Sequence, residues 1–180
     1  MPSDEAVAFV EGRAAEVIAM QPRPLISEKY KNLNRQLHET CPEYGTSGAR
    51  RAKVVLKLAK GLKTTSVLDY GCGKGELAKI LPFPIWEFDP AIAVKEQTPK
   101  PADVVVCTDV LEHVEPDYLD AVLVDLRRVT KVCLFVAIST KPANKNLSDG
   151  RNAHLIVESA DWWVARLSKL FVVTQRVDSP

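Results

Sequence analysis

A glycine-rich turn between a predicted strand and a predicted helix is the feature that most limits how this chain can fold. Residues 66–70 form a short apolar run typical of a strand, and residues 74–81 are predicted to be a helix. Gly71 and Gly73 let the chain turn tightly between them and let a ligand approach the backbone. Gly75 lies near the predicted helix start. Ligands of open parallel sheets bind at the carboxyl ends of strands, so we expect a binding site at this turn.

Apolar runs and amphipathic stretches alternate after the turn. Strands are predicted at residues 84–88, 102–107, 131–138 and 170–174, and helices at 115–128 and 159–169. This order predicts an α/β fold with an open, mainly parallel, Rossmann-like sheet, right-handed crossovers and helices on both faces. Before the turn, helices are predicted at 4–20, from about Ser27 to before Pro42, and at 49–60. We expect a single domain over 1–180, in which helices within 1–47 form a lid and 48–180 form the core.

Charge and composition argue against several classes of protein. Lys and Arg total 24 and Asp and Glu total 23, so a net charge of +1 gives no overall attraction to nucleic acid. A local basic face remains on the helix at 49–60 (Arg50, Arg51, Lys53, Lys57 and Lys60). No apolar run approaches the ~20 residues of a membrane helix, and the N-terminus lacks the pattern of a secretory signal. The four cysteines form no C-x-x-C pair, so we expect no metal site. Together with the lack of a membrane helix and of a secretory signal, this predicts a cytoplasmic protein with no membrane partner.

The spacing of the glycines favours a ligand without phosphates. A dinucleotide-binding turn has the pattern G-x-G-x-x-G, whereas here Glu76 takes the sixth position and would repel phosphates. A ligand that carries a cation and an amino-acid group fits this turn better. Asp89 follows Asp69 by 20 positions, at the end of the second predicted strand, where a carboxylate can bind both hydroxyls of a ribose.

Two segments resemble motifs of the class I S-adenosylmethionine-dependent methyltransferases. Residues 67–75 resemble motif I of that superfamily, and residues 102–114 resemble its fourth-strand motif. The resemblance extends over about residues 48–175 and implies S-adenosylmethionine as cofactor and S-adenosylhomocysteine as product. Tyr44-Gly45 and the segment 149–156 also resemble a compact bacterial and phage subgroup.

The resemblance also implies roles for single residues. Asp69 would order the glycine turn and approach the methionine end of the cofactor, and Asp89 would bind its ribose. The remaining cofactor-binding residues would come from the turn and from the end of the fourth-strand motif: Tyr70, Gly71, Cys72, Gly73, Thr108, Asp109, Val110 and Leu111. Only 14 positions separate Asp89 from Asp103, too few for the helix, third strand and acidic adenine loop of the family. We therefore expect a sheet reduced at its edges, an unassigned adenine contact, and a homodimer through a truncated edge.

Three residues are candidates for the chemistry of methyl transfer. His154 lies in a polar loop after the strand at 131–138, and it is the leading candidate for a general base. Asp109 and His113 are further candidates, although either could instead cap or anchor the next helix. Tyr44, Arg151 and Asn152 are predicted to bind the acceptor, although Arg151 could equally form a surface ion pair.

The sequence leaves the acceptor open. A small polar metabolite, a sugar or a nucleotide is the first hypothesis, because the overall charge is balanced. A nucleic acid or protein acceptor bound by the basic helix is the second. A non-catalytic cofactor-binding or assembly module is the third, because elements of the fold are missing. Another reaction of the sulfonium stays open as well.

Overall fold

The computed structural model describes residues 24–173. The predicted helix at 4–20 and the last residue of the predicted strand at 170–174 lie outside them. In chain order, the helices are α1 (Glu28–Thr40), α2 (Ala52–Gly61), α3 (Glu76–Ile80), α4 (Leu119–Val129) and α5 (Ala160–Leu167). The strands are β1 (Val67–Tyr70), β2 (Trp86–Phe88), β3 (Ala102–Thr108) and β4 (Thr130–Ala137). Short 3-10 turns cover Ser47–Arg51, Leu111–His113 and Pro116–Tyr118.

The strands form one four-stranded parallel sheet in the order β2-β1-β3-β4. This confirms the predicted Rossmann-like α/β fold. The motif expected on a fourth strand lies on the third strand here, because residues 90–101 contain neither a helix nor a strand. The sheet therefore has fewer strands on the β2 side than the family pattern, as the spacing between Asp89 and Asp103 predicts.

Alternating residues of β3 divide the core into two layers. Val104 and Val106 pack in the cluster that includes α2, whereas Val105 and Cys107 pack in the cluster that includes α4. The buried positions of α4 recur every three or four residues, so one face of that helix covers the sheet. Because each face of the sheet carries a helix, the binding edge is left to the loops that follow the strands.

A serine cap fixes α1 to the core. The Ser27 hydroxyl accepts a hydrogen bond from the Tyr30 amide at 3.1 Å, which satisfies an amide of the first turn. The Ser27 amide and hydroxyl both donate to the Glu115 carboxylate at 2.8 Å. These bonds place the N-terminal end of α1 beside the segment that follows β3.

The prediction of a strand at 170–173 is wrong. The Leu170 and Phe171 amides both donate to the Leu167 carbonyl, at 3.0 Å and 2.9 Å, so they close the last turn of α5. Leu170 is buried in the core cluster that contains α4, which accounts for the apolar pattern. Three helices also begin later than predicted, α2 at Ala52, α3 at Glu76 and α4 at Leu119, because a turn or a 3-10 segment precedes each.

Both outer strands leave one edge unpaired within residues 24–173. Trp86 on β2 and Val132 on β4 are mostly exposed, at 58% and 62%. Contact with a second subunit at such an edge stays a prediction, as does the single-domain division of the chain. None of the helices in this range has the length and apolar character needed to cross a membrane.

Candidate active site

A cavity of about 480 Å³ lies at the carboxyl ends of the strands. Its walls come from α1, residues 43–48, the glycine turn, Asp89, residues 108–110 and the loop at 139–154. Its volume falls in the range of about 300–1,000 Å³ that small-molecule sites occupy. The structure thus brings together the elements that the sequence predicts to form a site.

The backbone amides of the glycine turn are all engaged by protein acceptors. Those of Gly71 and Cys72 donate to the Phe88 carbonyl at 2.7 and 3.0 Å, and that of Gly73 donates to Asp89 Oδ2 at 3.0 Å. The Lys74 amide donates to the Gly45 carbonyl at 2.9 Å, and the Gly75 amide donates to the Cys72 carbonyl at 3.0 Å. A phosphate cradle needs amides that point at the ligand, so this turn offers no such cradle.

Two of the glycines are required by close approach. Gly71 has φ +76°, and a Cβ there would lie 2.4 Å from Val110 Cγ2. Gly73 has φ +52°, and a Cβ there would lie 2.6 Å from the Gly45 carbonyl oxygen. The turn therefore packs directly against the segment after β3 and against residues that follow α1.

Two buried carboxylates border the turn. Burial, together with nearby Glu87, raises the pKa of Asp69 to about 7, and Asp69 Oδ2 is shielded from solvent without a hydrogen-bond partner. Asp89 Oδ2 accepts from the Gly73 amide and Oδ1 accepts from the Ala91 amide at 2.9 Å. Asp89 therefore also anchors the turn, while each of its oxygens keeps a second acceptor position.

Three predicted cofactor residues place their side chains in the core. The Tyr70 hydroxyl donates to Asp125 at 3.0 Å and its ring packs against Phe88. Cys72 is buried and its thiol contacts the Gly73 carbonyl, and burial raises the pKa of that thiol. Leu111 is fully buried and does not line the cavity, in contrast to Tyr70 and Cys72.

The segment after β3 forms the opposite wall. Thr108, Asp109 and Val110 line the cavity. Asp109 has φ +55°, rare for a residue with a side chain, and its amide donates to the Ala137 carbonyl at 2.8 Å. Its carboxylate lies 3.6 Å from the guanidinium of the exposed Arg50.

Aromatic rings of Tyr44, His113 and His154 pack edge to face along the cavity wall. The ring centroids of the two histidines are 4.7 Å apart, and those of Tyr44 and His113 are 5.7 Å apart. His113 Nδ1 lies 2.7 Å from the Ala153 carbonyl, and His154 Nδ1 lies 2.6 Å from the Lys141 carbonyl. A carbonyl only accepts, so each Nδ1 must carry a proton, and Nε2 is the acceptor nitrogen of each neutral ring.

The environment keeps His113 neutral. Burial, together with the neighbouring His154 imidazole, lowers its pKa to about 4. His154 is half-buried and lies closer to solvent. The two adjacent imidazoles therefore each offer an Nε2 atom that can accept a proton.

A family model described as a methyltransferase domain matches residues 33–168. The chain belongs to the class I S-adenosylmethionine-dependent methyltransferase superfamily. Comparison with curated proteins and with solved structures gives no significant match.

The residues of this methyltransferase fit the cofactor that the family implies. The unpartnered Asp69 Oδ2 can accept a hydrogen bond from an ammonium group, and the turn has no amide to spare for a phosphate. Within residues 24–173, no group of His, Cys, Asp or Glu side chains is arranged to hold a metal ion.

Two residues predicted to bind the acceptor do not line the cavity of the methyltransferase. The Arg151 guanidinium pairs with Asp149 at 2.7 Å and lies 5.9 Å from the centre of the Tyr30 ring. The Asn152 amide nitrogen donates to the Ala143 carbonyl at 2.8 Å, so this side chain builds the loop. Both side chains therefore stabilise the loop that carries His154.

Asn34, on α1, is a side chain of the methyltransferase site that sequence reasoning missed. Tyr30, Asn34 and His38 line the cavity, and the Tyr30 hydroxyl donates to the His113 carbonyl at 2.6 Å. Their spacing of four residues puts them on one face of the helix. This spacing of polar and aromatic residues was visible in the sequence, but the position of α1 over the sheet was not.

Proposed function

We propose that this methyltransferase binds S-adenosylmethionine and transfers its methyl group to a small polar acceptor such as a metabolite, a sugar or a nucleotide. The observation that carries the proposal is the pair of adjacent imidazoles, His113 and His154, each with Nδ1 against a backbone carbonyl, in one cavity with the buried carboxylates Asp69 and Asp89. The carboxylates suit a cationic ligand with a ribose, and the imidazoles suit an acceptor that must lose a proton.

The carboxylates would hold the two ends of the cofactor. Asp69 would accept hydrogen bonds from the ammonium of the methionine part, and a nearby cation would favour its ionised form. Asp89 would accept from the ribose hydroxyls while it keeps its bonds to the Gly73 and Ala91 amides. When bound, S-adenosylmethionine supplies a methyl group on a positively charged sulfur.

His154 would act as the general base at Nε2. The Lys141 carbonyl fixes its tautomer, so the ring can take a proton from an acceptor hydroxyl or amine as the methyl group arrives. His113 stays neutral beside it and would accept a hydrogen bond, and Asp109 would orient the acceptor from the other wall. The α1 helix and residues 41–46 would exclude water, as methyl transfer requires.

The first test is the binding of S-adenosylhomocysteine and of NAD to the purified full chain by calorimetry. We expect S-adenosylhomocysteine to bind and NAD to fail, because the turn has no free amide for a pyrophosphate. Binding of NAD alone would refute the proposal. Tight S-adenosylhomocysteine binding with no turnover on any acceptor would favour a non-catalytic module.

The second test uses His154→Ala with the exposed Glu158→Ala as its control. Release of S-adenosylhomocysteine is measured across a panel of small hydroxyl and amine acceptors. His154→Ala should lower turnover by about 10²–10⁴ while the affinity for S-adenosylhomocysteine stays within about two-fold. Normal turnover of His154→Ala on the accepted substrate would contradict the assignment of the base.

One observation favours a second candidate, methylation of a nucleic acid. Arg50 lines the cavity, pairs with Asp109, and begins the basic face that continues along α2 through the exposed Lys53, Lys57 and Lys60. Phosphates beside the acceptor base could bind along this face. Affinity for a short RNA that falls steeply between 50 and 200 mM salt would favour this candidate.

A further inference from the structure

The cavity-facing side of α1 carries polar atoms with no partner. Asn34 Oδ1 and His38 Nδ1 are both shielded from solvent and lack a hydrogen-bond partner. Tyr30, on the same face, is satisfied because its hydroxyl donates to the His113 carbonyl. A shielded acceptor without a partner costs folding free energy, so its presence in a cavity wall points to a ligand that completes it.

Contacts on one side of α1 place Asn34 near the segment that follows β2. The side chain of Arg35, the next residue, donates to the Ala91 carbonyl at 3.3 Å, and Lys31 forms an ion pair with Glu96. Burial lowers the pKa of His38, and the charge of nearby Asp89 opposes that effect. Asn34 and His38 therefore lie toward the ribose end of the proposed cofactor site.

The opposite end of the cavity is already supplied with polar groups. Tyr30 marks the position along α1 that contacts His113, beside the proposed base His154. Of residues 90–101, only Pro90 lines the cavity, so this segment offers no polar side chain to a nucleobase. At the ribose end, Asn34 offers an unpartnered acceptor together with a side-chain amide, the pair of groups that a nucleobase edge requires.

We propose that Asn34 recognises the adenine ring of the cofactor. Its Oδ1 would accept a hydrogen bond from the exocyclic N6 amino group, and its side-chain amide would donate to ring nitrogen N7. A carboxamide matches this pair of adenine groups in donor and acceptor order. The inference rests on the proposed function, because it takes S-adenosylmethionine as the ligand.

The inference separates adenine from hypoxanthine. Hypoxanthine has a carbonyl oxygen at position 6, so Asn34 Oδ1 would face another acceptor. If the carboxamide turned over to donate to that oxygen, its own oxygen would face the N7 acceptor. Either orientation leaves one acceptor without a donor, so S-inosylhomocysteine should bind more weakly than S-adenosylhomocysteine.

The test is calorimetric titration of both compounds into the full chain and into two leucine variants. Asn34→Leu removes the carboxamide, and Asn32→Leu is the matched control because Asn32 is exposed on the same helix. The wild-type chain should prefer the adenine compound by about ten-fold. Asn34→Leu should lose about ten-fold in affinity for S-adenosylhomocysteine together with the preference, and Asn32→Leu should match the wild type.

The melting temperature of the ligand-free protein provides a second readout. Asn34→Leu removes a shielded, unpartnered acceptor, so its melting temperature should equal or exceed that of the wild type while affinity falls. If Asn34 had a merely structural role, the Asn34→Leu substitution would lower both the melting temperature and the affinity for S-adenosylhomocysteine. Asn34→Asp is the second variant, because a carboxylate still accepts from N6, repels N7 and repels the hypoxanthine oxygen. The Asn34→Asp variant should bind S-adenosylhomocysteine more weakly than the wild type does but still prefer it to S-inosylhomocysteine.

Three results would overturn the inference. If wild type and Asn34→Leu bind S-adenosylhomocysteine equally tightly, Asn34 does not contact adenine, and the proposed function still stands. If Asn34→Asp binds both compounds equally, the side chain does not read position 6. If the wild-type chain fails to bind S-adenosylhomocysteine, the proposed function and this inference both fail.

Discussion

Glu112 joins both ends of the loop that carries His154 to the end of β3. Its Oε1 accepts from the Ser139 amide at 2.7 Å, and its backbone carbonyl accepts from the Ile156 amide at 3.0 Å. The side chain is fully buried and Oε2 has no partner. Glu112→Gln keeps an acceptor for the Ser139 amide but can never ionise, so it isolates the effect of the charge.

The size of that effect follows from the pKa of Glu112. Burial raises this pKa from 4.5 to about 7, so the folded protein holds the proton more tightly than the unfolded chain. The stability from this group is therefore complete below pH 4.5 and is lost as the pH rises through 7. At 1.36 kcal/mol for each ten-fold change in proton affinity, the loss is about 0.8 kcal/mol at pH 5 and about 3.3 kcal/mol at pH 8.

Urea unfolding, followed by tryptophan fluorescence at pH 5 and pH 8, measures this loss. The free energy of unfolding of Glu112→Gln minus that of the wild type should increase by about 2.5 kcal/mol from pH 5 to pH 8, because only the wild type loses stability. The buried amide nitrogen of the glutamine adds a cost that does not vary with pH, so only the change is diagnostic. A difference that is the same at both pH values would refute the reasoning, because it would mean that Glu112 titrates normally.

Two further predictions concern the glycine turn and the loop. Gly71→Ala should lower the free energy of unfolding by about 1–3 kcal/mol, since it adds a Cβ 2.4 Å from Val110 at positive φ; an unchanged melting temperature would contradict this. Asn152→Ala should speed hydrogen exchange at the Ala143 and His154 amides, which both donate to Asn152 Oδ1 at 2.9 Å, and unchanged exchange there would show that the loop is held by other bonds.

The sequence predicts correctly those parts of the fold in which apolar residues follow a strong and regular pattern. The buried strand β3, the partly exposed edge strand β4 and the helix α4 follow from apolar runs and from a repeat of three to four residues. Residues 170–173 have an equally apolar pattern, but their amides complete the end of α5. Periodicity reports burial, and a buried helix end and a buried strand look alike over four residues.

The predicted site residues divide according to whether their partners are far apart or close in sequence. His113 and His154 meet because β3 and β4 are neighbours in a parallel sheet, which topology predicts. Arg151 and Asn152 bond to residues of their own loop, Asp149 and Ala143. A list of polar residues in a loop cannot separate those that fold the loop from those that face a ligand.

The structure argues against a phosphate-binding turn for a different reason from the sequence. The sequence disfavours phosphate because Glu76 takes the place of a glycine, but Glu76 pairs with Lys79 at 2.6 Å and does not line the cavity. The turn excludes a phosphate cradle because β2, Asp89 and Gly45 accept from its amides. The early third glycine lets the backbone turn back on itself at Gly75, whose amide donates to the Cys72 carbonyl. Beside this closed turn, the carboxylates of Asp69 and Asp89 line the cavity, and the amides of the turn are already engaged.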